Sequence, residues 1–483
     1  MEGDFTYAFN DYKNYKQAGS TIVEATFDTS VVTEVVDEKV AYISNPYSSV
    51  TYTVNVTETG EYALYINNHL LGSGFKDTEF EVLIDDTQAL ERGKIRAYFK
   101  NSSEDFKLDS YGNEICPSQE TISEWNYQGL YDYQYTSPLP YGFSLESGSH
   151  KITLLQIAGE EIALGDLSFR KLEAIKSYET YKGEHATAEG GYRLEEIQGE
   201  HFSSKNDTSP IPSNSPDINV TPYKTIEAML NTLGNFSLSN QIINYDFNVE
   251  VAGNYVINLN ANVNNSNHVT FATFFIDGQV PFGELLHYPL SPTKGYQEIV
   301  LANQNKQPFN IYLEPGKHTL SIKIDDSLYQ STIAVLDKSV DDLNRIYLSL
   351  KRIAGTSTGN KQWDPESDFP GITEQIQEIY NTLNNLSPHI YEVNGSDVNF
   401  QALIYLRSAL SAIKGVLKDP RDIPNQYAKF SEGSGSIIEQ IANASSDLSV
   451  SPLEIDRIII GSPNSYKLEN KKNGFHSFGE KIK

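Results

Sequence analysis

"VTYTVNVTETGEYALYIN" (residues 50–67) and "INYDFNVEVAGNYVINLN" (residues 243–260) carry one pattern twice. Each has an alternating apolar/polar run, a short turn closing on Gly60 or Gly253, and a second alternating run. Successive side chains of a strand point to opposite faces, so a period of two marks a half-buried strand, and two such runs around a glycine turn mark a hairpin. The match extends outward. "FEVLIDD" (80–86) parallels "FFIDGQVPF" (274–282), and "YGFSLESGSHKITLLQI" (141–157) parallels "FNIYLEPGKHTLSIKI" (309–324). Strand following strand without intervening helices predicts a mainly β protein with two antiparallel jelly-roll β-sandwiches in tandem.

The first copy ends with "LGDLSFRKL" (164–172), which reads as a closing strand. The second copy lacks one after residue 335. Its pattern turns helical there, with Leu336, Val340, Leu343, Tyr347, Leu350 and Ala354 on one face. Helical segments at 371–391, 397–417 and 424–446 follow, punctuated by "DFPG", "NGSD" and "KDPRDIP". Only then comes "PLEIDRIIIGSP" (452–463), whose Asp456 aligns with Asp166. The reading is an α-helical bundle inserted before the last strand of the second sandwich. The domain plan is therefore sandwich 1 over 1–172, a charged linker over 173–190, sandwich 2 over 191–335 plus 453–462, the bundle over 336–450, and a polar tail over 463–483 leading to a missing domain.

Composition narrows the function. A formal charge of −27 over 483 residues argues against nucleic acid and against an anionic membrane surface as partners. No apolar run reaches spanning length, so direct membrane insertion is not expected, and the single cysteine, Cys116, excludes an internal disulfide framework. No nucleophile elbow, Walker sequence or zinc-protease helix motif is present. The chain is read as non-catalytic. A cryptic glycoside hydrolase, built on two of its 64 carboxylates, is the weakest alternative. His150 and His318 fall at equivalent repeat positions and read as turn residues at the start of a strand.

Tyrosine is abundant at 31 residues, against 2 tryptophans. The densest stretch, "YQGLYDYQYTSPLPYGF" (127–143), ends a long insertion, "DFKLDSYGNEICPSQETISEWNYQGL" (105–130), that the second copy lacks. Long loops carry function more often than plain connections. Trp125, Tyr127 and Tyr131 are the candidate ligand-binding residues. Tyr131, Tyr133 and Tyr135 share one strand face, with core packing expected for Tyr133. A ring laid on a sugar face is worth about 1 to 2 kcal/mol, so a few rings with hydrogen bonds make a weak site. Four carboxylates near presumed first and last strands, Glu200, Asp456, Asp166 and Asp11, are candidates for a structural calcium.

Several segments carry a family resemblance. "SVDDLNRIYLSLKRIAGTSTGNKQWDPESDFPGI" (339–372), "FFIDGQVPFGE" (274–284), "YLEPGKHTLSI" (312–322) and "PLEIDRIIIGSPN" (452–464) resemble the N-terminal region of large extracellular solute-binding proteins of Gram-positive bacteria, associated with ABC transporters. The likeness covers 40–465, most closely 240–465. It implies export, lipid attachment to the cell surface, an ABC permease reached through the missing domain, and sandwiches similar to galactose-binding-like carbohydrate-binding modules. It further implies a calcium-ligand strand at "EEIQGEHF" (195–202), where Gln198 stands in place of the first expected acid and Glu200 matches the second. The functional expectation is an extracellular region that binds or presents a polysaccharide or oligosaccharide. The alternative is a structural spacer or protein-docking platform.

Overall fold

The computed structural model describes residues 4–27, 34–134, 137–185, 195–224, 226–265, 267–354, 362–395 and 400–465. Tyr135, the tail after 465 and part of the linker lie outside these residues.

The repeat is real at the level of single atoms. In the first sandwich, strand Ser49–Val56 pairs with Gly148–Ala158, which pairs in turn with Thr78–Ile84. In the second, Ile242–Val249 pairs with Gly316–Ile324, and that strand with Thr270–Ile276. The registers agree: Ile152 faces Ile84 as Leu320 faces Ile276. Tyr52 and Tyr245 are both fully buried, and each hydroxyl donates at 2.9 Å to a glycine carbonyl, Gly165 O and Gly199 O. Tyr62 and Tyr255 each reach back four residues to a turn carbonyl, at 2.6 and 2.7 Å. The two histidines clamp equivalent turns. His150 Nδ1 lies 2.7 Å from Asp85 Oδ2, and His318 Nδ1 lies 2.7 Å from Asp277 Oδ2. Asp85 and Asp277 have φ of 51° and 52°, a left-handed conformation that these short polar side chains tolerate in tight hairpin turns.

The two sheets of the first sandwich are joined through strand Lys16–Phe27, which pairs with Ile162–Ala174 in one sheet and crosses to Ser49–Val56 in the other. The second sandwich closes as the sequence pattern requires. Glu454–Gly461 pairs with Gly253–Asn262, with Glu195–Gln198 and with Thr232–Gly234, all within that sandwich. The bundle, residues 327–448, is thus inserted before the last strand.

Several boundaries differ from expectation, each for a packing reason. The first bundle helix runs Ser327–Ala354, starting before residue 336. Leu328 and Tyr329 pack with Val269 and Phe271 of the sandwich, so the first turns follow a different neighbour from the bundle face. The stretch read as a linker carries a helix, Tyr178–Glu184, with Ile175 and Tyr178 buried in the core of the second sandwich. The N-terminal segment does not belong to the first sandwich. Ala8 packs in the bundle core and Tyr12 in the core of the second sandwich, on either side of a short helical segment, Ala8–Asn14.

The long insertion is no loose loop. Phe99–Asn101 pairs with Gln119–Thr121, and Phe99 also faces Lys205 of strand Ser204–Lys205. Two strands from the first half therefore extend a sheet of the second sandwich. A second clamp is the turn after Ile276: Gln17 Nε2 donates to Val280 O at 2.9 Å, and Val280 N donates to Gln17 Oε1 at 3.0 Å. Among the described residues, no helix is long and apolar enough to cross a membrane.

Candidate functional site

The docking of the sandwiches leaves a cleft of about 520 Å³ between them, within the roughly 300–1,000 Å³ of small-ligand sites. Trp125, Tyr127 and Tyr131 all line it, from the first sandwich. The opposite wall comes from strands Ile242–Val249 and Gly316–Ile324. Alternation explains why that wall is polar: Ile243, Tyr245, Leu320 and Ile322 point into the core, leaving Asn244, Asp246, Thr319 and Ser321 on the outer face.

Each ring is held. Trp125 precedes strand Asn126–Gly129, which pairs with Gly60–Leu70. Its indole Nε1 donates to Val36 O at 3.2 Å, and its ring meets His69 edge-on at 5.7 Å. It lies over Gly165, where a Cβ would come within 3.1 Å of the ring, so the bare backbone makes room for it. Tyr127, 40% exposed, stacks on Tyr65 at 5.7 Å, and its hydroxyl bonds to Ser168 Oγ. The Arg170 guanidinium lies 4.5 Å from the Tyr65 ring centre and 5.1 Å from that of Tyr127. Tyr131 sits 3.6 Å from the buried Arg96 guanidinium. Cation–π contacts of this kind fix ring orientation in advance of any ligand. Tyr133 departs from the expected core packing. It lies in a turn, 37% exposed, with Arg92 at 3.5 Å, because the strand ends at Tyr131–Asp132.

The polar wall is also braced. Asn244 Nδ2 donates to Ser204 Oγ at 2.8 Å, Thr319 Oγ1 donates to Asp246 Oδ1 at 2.7 Å, and Lys317 Nζ lies 2.8 Å from Asp246 Oδ2. Further along the same face Lys323 is fully buried, and burial together with nearby Arg96 pushes its amine down to about 7. Sequence reasoning missed this wall and the backing residues Tyr65, Arg96 and Arg170. For Tyr65 a signal existed: it alternates with the core residues Leu64 and Ile66 and so faces outward.

The four carboxylates proposed for calcium do not assemble into one site; among the described residues no group of three His, Cys, Asp or Glu side chains could hold a metal. Asp11 is on the N-terminal helix, with its Oδ2 3.5 Å from His287 Nε2. Asp166 is exposed on the first sandwich. Glu200 and Asp456 are neighbours, 2% and 0% exposed. Asp456 accepts from Thr221 N at 2.8 Å and Asn260 Nδ2 at 2.6 Å, which satisfies it without a metal. Burial pushes the Glu200 carboxyl up to about 8, with the Asp456 charge adding to the effect, and burial pushes Asp456 up to about 6.

One buried cluster resembles a hydrolytic triad in composition only. Asp325 Oδ2 and Ser327 Oγ approach the same His287 nitrogen, Nδ1, at 2.8 and 3.1 Å. A relay needs acid and nucleophile on opposite ring nitrogens. The cluster instead joins the N-terminal helix, the second sandwich and the first bundle helix. A larger, open groove of about 720 Å³ runs between residues 4–14 and the helix Leu386–Asn394.

No curated protein matches. Several solved structures are similar in part. Xyl-CBM35 in complex with a glucuronic acid-containing disaccharide is 11% identical, over 33% of this chain and 96% of that one, with a TM-score of 0.19. The Podospora anserina GH26-CBM35 β-(1,4)-mannanase is 10% identical over 36% of this chain and 35% of its own length, at 0.17. A β-glucosidase from Paenibacillus barengoltzii is 12% identical over 27% of this chain and only 10% of its own length, at 0.15. Similarity at this level assigns no ligand. The helical insertion is more informative: residues 331–448 match the family described as the bacterial solute-binding protein 4-helix bundle domain.

Proposed function

We propose that the chain is a non-catalytic, carbohydrate-binding region of an extracellular, cell-surface-attached bacterial solute-binding protein that presents glycans to an ABC importer. The observation that carries the reading is the cleft, in which three rings chosen from sequence meet a wall of amides and hydroxyls. Sugars pair apolar ring faces with equatorial hydroxyls, and this surface offers partners for both. The match of residues 331–448 supports the solute-binding context.

The test is affinity electrophoresis of the chain against a panel of plant and microbial polysaccharides. Retardation by at least one polymer is expected, weakened about tenfold in Trp125→Ala, the loss of one stacked ring. Retardation by none would refute carbohydrate binding. A thermal melt of the variant separates lost binding from lost folding.

A second reading, a protein-docking platform, has one observation in its favour. Leu108, Tyr111, Ile115 and Ile226 are 62%, 83%, 50% and 89% exposed, on segments held together by Glu114 N to Ala228 O at 2.9 Å. Apolar side chains grouped on a braced surface suit a protein contact.

A further inference from the structure

We infer that the ligand is an uncharged glycan segment gripped by both sandwiches at once, in a site that neither sandwich contains alone. The inference rests on the carbohydrate reading above and adds the charge class of the ligand and the participation of the second wall.

The division of labour between the walls points to joint use. Trp125, Tyr127 and Tyr131 supply apolar faces but few free hydrogen-bonding groups, because the Trp125 indole and the Tyr127 hydroxyl are already bonded to Val36 and Ser168. Rings alone would hold a sugar without orienting it. With Asn244 Nδ2 and the Thr319 hydroxyl proton held by Ser204 and Asp246, the second wall presents the amide oxygen of Asn244, the acceptor side of Thr319 Oγ1 and the Ser321 hydroxyl but no stacking surface, and alone these would have to compete with water. The walls cannot drift apart, since Phe99 pairs with Lys205 and Gln17 pairs with Val280 across the junction. A preorganised cleft loses little on ligand binding.

The charges point to a neutral ligand. Among the described residues, three ionisable groups other than tyrosine line the cleft: Lys100, Glu124 and Asp246. Lys100 Nζ lies 3.5 Å from Glu120, and Asp246 is paired with Lys317, on which Glu124 also acts. The guanidiniums at the site are spent on the rings: Arg96, 3% exposed, on Tyr131, and Arg170 on Tyr65 and Tyr127. The Lys39 ammonium also lies on a ring, 5.3 Å from the centre of Trp125, so a uronate or sulfated sugar would find the cations around the cleft already engaged while approaching the carboxylates of Glu124 and Asp246, on a chain of net charge −27. A cationic sugar would compete with Lys317 for the two carboxylates of the lining, Asp246 and Glu124.

Affinity electrophoresis and calorimetry on the full chain test this, with neutral galactomannan, xylan and β-glucan against polygalacturonate, alginate and chitosan. The expected result is binding to at least one neutral polymer, changing less than about twofold between roughly 0.05 and 0.5 M NaCl, as suits an uncharged ligand. Asn244→Ala on the second wall and Trp125→Ala on the first should each weaken it by about tenfold, the worth of one stacked ring or of well-placed hydrogen bonds. Ser321→Tyr, which fills the cleft from the second wall, should abolish binding while the thermal melt stays unchanged. Binding confined to charged polymers, or falling steeply with salt, would overturn the charge class. Binding lost in Trp125→Ala but untouched in both Asn244→Ala and Ser321→Tyr would overturn the shared site and leave the carbohydrate reading standing. Binding to no polymer at all would instead sink that reading.

Discussion

Glu79 and Phe271 occupy the same position in two copies of one strand. Register proves it: Val82 faces Leu154 as Phe274 faces Ile322, and each residue lies three positions earlier, on the outer face. In the first sandwich that face is covered only by side chains of its own sheet, and Glu79, with 12% of its side chain exposed, pairs with the half-exposed Arg92 at 2.7 Å. In the second it is roofed by the bundle, and Phe271 is fully buried with Tyr329 and Leu336. The insertion point explains the difference. Strands Gly148–Ala158 and Ile162–Ala174 are joined by residues 159–161, whereas the equivalent step in the second sandwich contains the whole bundle. A strand's inner face is dictated by its own sandwich, its outer face by whatever is laid on it.

The sharpest way to break this comparison is to truncate both residues. Phe271→Ala should cost about 3–5 kcal/mol by chemical denaturation, as large-to-small changes in a packed core do. Glu79→Ala should cost about 1 kcal/mol or less, because Arg92 is half-exposed and such pairs are weak. Similar costs at the two sites would mean the bundle is not integral to the second sandwich.

The next comparison is of Asp166 with Asp456, aligned on the two closing strands, one exposed and one buried beside Glu200. Glu200 holds its proton to about pH 8 in the fold, whereas an unfolded glutamate releases it near pH 4.3. The folded state therefore binds the extra proton between these values, and stability falls as pH rises through that window. A loss of roughly 2–4 kcal/mol between pH 5 and pH 8 is expected in urea titrations, largely removed in Glu200→Gln. A flat profile in the unsubstituted chain would show that the buried pair ionises without cost.

The smallest effect sharpens the likeness between the copies. Tyr52→Phe and Tyr245→Phe each remove one buried hydroxyl bonded at 2.9 Å to a glycine carbonyl. Each should lower stability by about 1 kcal/mol. A difference of more than about 1 kcal/mol would show that the two cores, though matched in register, carry unequal loads.

Trp125, Tyr127 and Tyr131 were legible as candidates because aromatic density and an unmatched insertion are properties of sequence order. Their partners were not. Asn244, Asp246, Thr319 and Ser321 sit where any solvent-facing strand would carry polar residues, so nothing local marks them. The calcium set fails for a related reason. Alignment places carboxylates on corresponding strands, but only packing decides that Asp11 turns to His287, Asp166 to solvent, and Asp456 to Asn260.

By itself the sequence determined the two sandwiches, their hairpin registers, the inserted bundle and the return of the closing strand at 454–461. Those follow from alternation, helical periodicity and turn residues, which act over a few positions and repeat. Only the tertiary structure decided that residues 99–121 extend the neighbouring sheet, that residues 4–15 bridge the bundle and the second sandwich, and that a cleft opens between the sandwiches. These features arise where two preformed surfaces meet, and their contacts depend on how two rigid bodies dock rather than on the pattern within either one.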